Sequence, residues 1–114
     1  MIVVLPFPPS ILSGHAKGNG QWAKIAATKE YRALACDEAN KGGIPSLPET
    51  GDIRIHFSFI PPDRRGDRVN FPNRLKPYID GIADALGVND SRFLPSYSFF
   101  DPAKPGKVII EVRL

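Results

Sequence analysis

Apolar and polar residues alternate most regularly over residues 52–60, where every second side chain is apolar. This period is typical of a strand with one buried face. The same period predicts a strand over residues 107–114, and a short apolar run predicts another at residues 2–5. A further strand is expected over residues 97–101. The loop at residues 102–106 has the composition of a hairpin turn that would pair this strand with the last one.

Two segments carry apolar residues at the three-to-four-residue spacing of an amphipathic helix. The first helix is predicted over residues 28–40, with Thr28 as its N-cap. The second is predicted to begin near residue 73 and to end at Leu86. Pro77 must then lie in its first turn, and Gly87 suits the left-handed position after its end.

The segment at residues 10–21 has three glycines and no hydrophobic period, so a long loop is predicted there. The element order is therefore β-α-β-α-β-β. This order predicts an α+β fold in which two helices pack on one face of a small mixed sheet of about four strands.

The chain has 114 residues, which suits a single domain over residues 1–114. Its 42% hydrophobic and 24% charged residues exclude wholesale disorder. The single cysteine, Cys36, excludes an intrachain disulfide and a cysteine-rich zinc site. Three prolines interrupt the apolar run at residues 1–12, so we expect neither a signal peptide nor a membrane span. A cytoplasmic location without a membrane partner is the expectation.

Positive charge is concentrated in one segment. The whole chain carries a net charge of +3, yet the thirteen residues from Arg64 to Lys76 hold five basic residues against one acidic residue, a net charge of +4. This segment is either a solvated loop or a binding site for a polyanion such as nucleic acid.

The second predicted helix carries a polar stripe opposite its apolar side, formed by Asn73, Lys76, Asp80 and Asp84. An ordinary solvated helix face would have the same pattern. Two aspartates outside the helix, Asp67 before it and Asp90 after it, change this interpretation, because strands running beside the helix would bring them near Lys76. Carboxylates with few competing ligands suit Mg²⁺, which takes one or two protein oxygens and keeps waters that phosphate can replace.

Four motifs in order resemble the RusA-type Holliday junction resolvases. They are LPFPPS at residues 5–10, PDRR at residues 62–65, KPYIDGIADAL at Lys76–Leu86 and DSRF at residues 90–93. The resemblance spans most of the chain. It implies a homodimeric endonuclease that makes paired nicks in four-way DNA junctions during recombination and repair. The metal would be Mg²⁺, with Mn²⁺ as a substitute, and no small-molecule cofactor would be needed.

The resemblance also implies site residues. Asp67 matches the first aspartate of the family's Asp-x-Asp-Asn motif, and Asn70 matches its asparagine. Lys76 matches the lysine on the helix, Asp90 the distal aspartate, and Asp80 an acidic helix position common in the family. In this assignment Asp67, Lys76 and Asp90 are catalytic, and Asp67, Asp80 and Asp90 bind the metal. The DNA-binding residues would be Arg64, Arg65, Arg68, Asn70 and Arg74.

One departure from the family pattern leaves the activity open. Val69, which cannot bind a metal, stands where the second motif aspartate is expected. An alternative register that aligns Asn73 with the motif asparagine fits less well, because it puts Asn70 and Pro72 at the acidic positions. In either register one expected carboxylate is absent, so either Asp80 or Asp63 substitutes for it or the site binds one metal ion weakly. The alternative function is a protein of the same fold that binds branched DNA without cutting it.

Three further points concern His15, Trp22 and an alternative RNA-binding function. His15 stands where an asparagine is common in the family. Trp22 is expected to pack in the core, with insertion at a DNA branch point as the alternative. An RNA-binding module is a weaker candidate function, because the chain lacks a glycine-aromatic RNA-binding pattern and Phe57 and Phe59 are expected to be buried.

Overall fold

A computed structural model describes residues 1–13 and 19–114, so His15 lies outside the described residues. The strands are β1 (Ile2–Pro6), β2 (Ile53–Ile60), β3 (Phe93–Phe99) and β4 (Lys107–Arg113). The α-helices of the described part are α1 (Asn19–Lys41) and α2 (Lys76–Leu86). The predicted α+β class, with helices packed on a four-stranded mixed sheet, is confirmed. In the described part, no helix is long and apolar enough to cross a lipid bilayer.

The strand order is β1-β4-β2-β3, so the predicted hairpin between β3 and β4 is wrong. β2 lies between these two strands, antiparallel to β4 and parallel to β3. The reason is the crossover through α2, which returns the chain to the outer side of β2 in the same direction. The segment at residues 102–106 then crosses the end of β2, where the Ala103 N–H donates to the Pro61 carbonyl (2.9 Å).

The first helix begins nine residues before its predicted start. Thr28 is not an N-cap, because its Oγ1 donates to the Lys24 carbonyl one turn back (2.7 Å). A hydroxyl that bonds to the carbonyl four residues earlier is typical of a threonine inside a helix. The predicted apolar stripe is nevertheless correct, since Ala35 and Ala39 are fully buried.

The ends of α2 follow the prediction closely. Pro77 lies in the first turn, and Gly87 has φ +68° and donates its N–H to the carbonyls of Ala83 and Asp84. A 3-10 helix at Arg68–Arg74 precedes α2, so the α-helix itself begins at Lys76 rather than near residue 73. Pro72 lies inside this 3-10 helix.

One apolar core joins the helices to the sheet. A row of paired residues, Val3, Ile110 and Phe57, crosses three strands on the covered face, and all three are buried. Tyr78 of α2 is also fully buried, and its hydroxyl donates to the Pro6 carbonyl (2.8 Å). This bond satisfies a buried polar group and fixes α2 against the end of β1.

Candidate active site

A cluster of charged side chains lies along one side of α2. Lys76 is the first residue of the helix, and Asp80 follows one turn later, so their side chains share a face. The Lys76 Nζ lies 2.9 Å from the Asp80 Oδ1 and also donates to the Asp90 Oδ2. Asp90 begins the 3-10 helix Asp90–Arg92, which follows α2 and packs against it. The structure thus brings together three of the predicted site residues.

Arg32 of α1 extends this cluster. Its Nε and Nη2 donate to the two carboxylate oxygens of Asp84 (2.7 and 2.9 Å), and its Nη1 lies 3.9 Å from the Asp80 Oδ2. We refer to Arg32, Lys76, Asp80, Asp84 and Asp90 as the charged cluster. The sequence offers no signal for Arg32, because it lies 52 residues from Asp84 and only helix packing brings the two together.

The ion pair of Lys76 with Asp90 favours the ionised form of both side chains. The hydrogen bond to Asp90, followed by the one to Asp80, raises the pKa of Lys76 above its ordinary 10.5. The same Lys76 hydrogen bond lowers the pKa of Asp90 below 3.8. At neutral pH Lys76 is therefore an ammonium cation, suited to stabilising negative charge and unsuited to acting as a base. Because these side chains are substantially exposed, solvent screening keeps their contribution to stability small.

Two carboxylates of the charged cluster share one cation. Asp80 and Asp90 both contact the Lys76 ammonium, so the two carboxylates face the same positive charge. Two carboxylates are within the range that Mg²⁺ uses, because waters and phosphate oxygens complete its shell. Across residues 1–13 and 19–114, no group of three or more His, Cys, Asp or Glu side chains is arranged to hold a metal ion. The donor set therefore fits a sparse magnesium site and no richer one.

Asp67 lies at the start of the 3-10 helix that precedes α2. Its Oδ1 accepts the Val69 N–H (3.1 Å), which caps the 3-10 helix at Arg68–Arg74. None of the ion pairs between described residues joins Asp67 to the charged cluster. The carboxylate that stands beside Asp90 is Asp80, and a metal-binding role for Asp67 stays a prediction.

The predicted DNA-binding residues lie on the segment between β2 and α2. Arg64, Arg65 and Arg68 are exposed and line a cavity of about 380 Å³ together with Asp67. Asn70 is also exposed. Arg74 is different, because its side chain is half-buried against two aromatic rings.

Val69 is 80% exposed on the 3-10 helix, so the position expected to hold an aspartate faces solvent. Asn73 lines a cavity of about 310 Å³ with Lys76, and Asn70 does not line it. Asn73 is therefore the one of these two asparagines that shares a cavity with Lys76, and the register against the family motif stays a prediction.

Trp22 is 75% exposed, so the expectation that it packs in the core is wrong. The early start of α1 places it in the first turns of that helix. An exposed tryptophan is a large apolar surface that a partner can cover.

Comparison with known proteins finds a bacterial protein of similar sequence. No family model matches the chain. A protein of Xylella fastidiosa (strain Temecula1 / ATCC 700964), described only as an uncharacterized protein, is 37% identical over 115 residues. The match covers 96% of this chain and 74% of the relative.

Proposed function

This chain belongs to the same family as the Xylella fastidiosa protein, and we propose that it is a Mg²⁺-dependent endonuclease that nicks four-way DNA junctions in the bacterial cytoplasm. The observation that carries the proposal is the shared cation contact of Asp80 and Asp90 with Lys76. Lys76 is both the last residue of the segment of +4 charge and the first residue of α2. A carboxylate pair beside a basic segment is what hydrolysis of a polyanionic phosphodiester requires.

In the proposed reaction Asp80 and Asp90 hold the metal, and Arg32 holds Asp80 and Asp84 in place from the neighbouring helix. Mg²⁺, when bound, polarises the scissile phosphate and lowers the pKa of the attacking water. Lys76, protonated at neutral pH, stabilises the negative charge that develops on the phosphate in the transition state. The exposed basic loop, with Arg64, Arg65 and Arg68, contacts flanking phosphates without reading bases.

A second candidate function is the binding of branched DNA without cleavage. It is favoured by one observation: Val69 is a solvent-exposed apolar residue at a position where the resembled family has an acidic one. In this case the basic loop would still bind DNA, and the charged cluster would serve only to hold α1 against α2.

A nicking assay on a fixed four-way junction, with and without Mg²⁺, separates the two candidates. We expect Mg²⁺-dependent nicks, and we expect Asp90→Asn to slow nicking by about 100-fold or more, because a lost metal ligand removes several kcal/mol of transition-state stabilisation. Asp67→Asn is expected to cost less, since Asp67 caps a 3-10 helix. Asp37→Asn, the same change on an exposed residue of α1, is the control.

Equal nicking by the Asp90 and Asp37 variants would refute the proposed site. Junction binding without nicks in Mg²⁺ or Mn²⁺ would select the binding protein instead. A larger loss of nicking rate in Asp67→Asn than in Asp90→Asn would indicate that Asp67 binds the metal.

We propose that the partner needed for paired nicks is a second copy of this chain, joined through the outer strand β3. Among the residues that the structure describes, β3 pairs with β2 alone. The strand contains no charged residue and leaves Leu94, Tyr97 and Phe99 between 40% and 50% exposed. Edge strands of monomers are commonly protected by charges, and this one is not. Arg92 precedes the strand and Asp101 follows it, so an antiparallel second copy would bring opposite charges together at both ends.

Tyr97→Lys is expected to weaken this dimer by about 30-fold, because a buried interface tyrosine commonly contributes about 2 kcal/mol. Sedimentation over a range of protein concentrations measures the change, and far-UV circular dichroism verifies the fold. Ile44→Lys, an equivalent change at a residue that is 43% exposed in the loop after α1, is the control. A wild-type protein that stays monomeric at every concentration would contradict the proposed dimer.

A further inference from the structure

A cavity of about 480 Å³ lies between the segment that follows β1 and the loop that follows β2. Its lining includes Pro8, Pro9, Asp63, Arg65, Gly66 and Arg74. None of the residues of the charged cluster lines it. It is therefore separate from the charged cluster.

Arg74 is fixed at the wall of this cavity. Its guanidinium carbon lies 5.2 Å from the ring centroid of Phe71 and 5.8 Å from that of Phe7. Its Nη1 donates to the Pro8 carbonyl (3.1 Å). Cation–π contacts on two rings and a backbone hydrogen bond hold the guanidinium in one orientation before any ligand arrives.

The charge of Arg74 is not compensated within the described part of the chain. No carboxylate there forms an ion pair with it, and its buried Nε has no hydrogen-bond partner. Burial lowers the pKa of Arg74 below its ordinary value, which reflects the cost of a partly desolvated cation. An anion that accepts hydrogen bonds from the guanidinium would offset this cost.

Gly66 leaves room beside the guanidinium. Its φ is +87°, and a Cβ built there would lie 3.1 Å from the Phe71 Cε1 and 3.6 Å from the Arg74 Nη2. Arg65 adds a second positive charge to the lining. The opposing carboxylate, Asp63, already accepts the backbone N–H of Arg65 (2.8 Å) through its Oδ1.

We propose that this cavity binds a single phosphate group through the guanidinium of Arg74, with Arg65 as a second cation. The planar fork of an arginine matches phosphate oxygens better than a lysine does. The phosphate is either one in a DNA backbone or a free phosphate monoester, and only the DNA source rests on the proposed nuclease function.

Titration with inorganic phosphate at constant ionic strength, followed by the side-chain Nε–H resonance of Arg74, tests the site. We expect a saturable shift of this resonance. Arg74→Lys, followed by isothermal titration calorimetry, should bind phosphate about tenfold more weakly, the loss of one charge-assisted hydrogen bond. Arg54→Gln, on an exposed strand position outside this cavity, should leave the affinity unchanged.

Arg65→Gln keeps the packing of Arg74 and is expected to weaken phosphate binding even where Arg74→Lys destabilises the fold. An unmoved Arg74 resonance, or equal phosphate affinity in wild type and both cavity variants, would overturn the proposal. A parallel loss of four-way junction affinity in Arg74→Lys identifies the DNA backbone as the source of the phosphate, and unchanged junction affinity identifies a free monoester. Asp90→Asn should bind phosphate normally, so this site and the nuclease proposal can fail independently.

Discussion

Replacing Lys76 with glutamine is expected to slow the nicking of a four-way junction about 100- to 1000-fold, the usual cost of removing one preorganised electrostatic contact to a transition state. Lys76 is an ammonium at neutral pH, and its hydrogen bonds to Asp90 and Asp80 raise its pKa further above the ordinary value. The same substitution should lower the Mg²⁺ concentration needed for half-maximal nicking. Asp80 and Asp90 both contact this ammonium, and removing it leaves Asp80 with only the longer contact to Arg32 (3.9 Å), so a metal ion meets less competition for the two carboxylates.

Lys76→Arg keeps the positive charge and should recover part of the lost rate. The matched control is Lys41→Gln, which removes an exposed lysine that pairs with Glu38 at the far end of α1 (2.9 Å). Single-turnover nicking rates across a Mg²⁺ titration measure both effects. An unchanged rate in Lys76→Gln would exclude an electrostatic role for this residue. An unchanged Mg²⁺ requirement would show that Lys76 does not compete with Mg²⁺ for Asp80 and Asp90.

Replacing Gly81 with alanine is expected to destabilise the protein by about 3 kcal/mol, at the upper end of the range for overpacking. A Cβ at Gly81 would collide with the Arg32 backbone carbonyl and would lie 2.8 Å from the Ala35 Cβ. The backbones of α1 and α2 therefore touch at this glycine, and no flexible side chain is available to move away. The midpoint of thermal unfolding should fall by more than about 10 °C for a domain of this size.

Gly42→Ala is the control for this substitution. Gly42 follows the end of α1, and a Cβ there would meet nothing closer than the Ala39 carbonyl at 3.7 Å. Its effect should stay within about 0.5 kcal/mol. Thermal and urea unfolding of the two variants measure the difference in stability. Equal stabilities would contradict the prediction, because they would show that α1 and α2 can move apart at Gly81 without loss of unfolding free energy.

The extent of α2 and the position of β2 could be predicted because their signals are local. Alternation at residues 53–60 and the Pro77–Gly87 pair each depend on backbone geometry within a few residues. Strand order depends on pairing between distant segments. The segment at residues 102–106 has the composition of a turn whether it joins neighbouring strands or crosses β2, so the hairpin was predicted and is not formed.

The candidate site also contains both residues that local spacing predicts and residues that only tertiary packing brings together. Lys76 and Asp80 could be placed on one helix face from their spacing alone, and the structure confirms that they pair. Arg32 could not be found, because its partner Asp84 lies on another helix. Asp67 and Asp90 both flank α2 in the sequence, yet only the return of the chain through the 3-10 helix at Asp90–Arg92 decides that Asp90 contacts Lys76.

Taken alone, the sequence determined the α+β class, the polar stripe of α2 and the basic character of the segment before it, since periodicity and charge are properties of neighbouring residues. Tertiary structure alone decided the place of β4 between β1 and β2, the contact of Arg32 with Asp84, and the burial of Arg74 against Phe7 and Phe71. Each of these depends on which distant surfaces exclude water together, and that choice is made by the whole core rather than by any single segment.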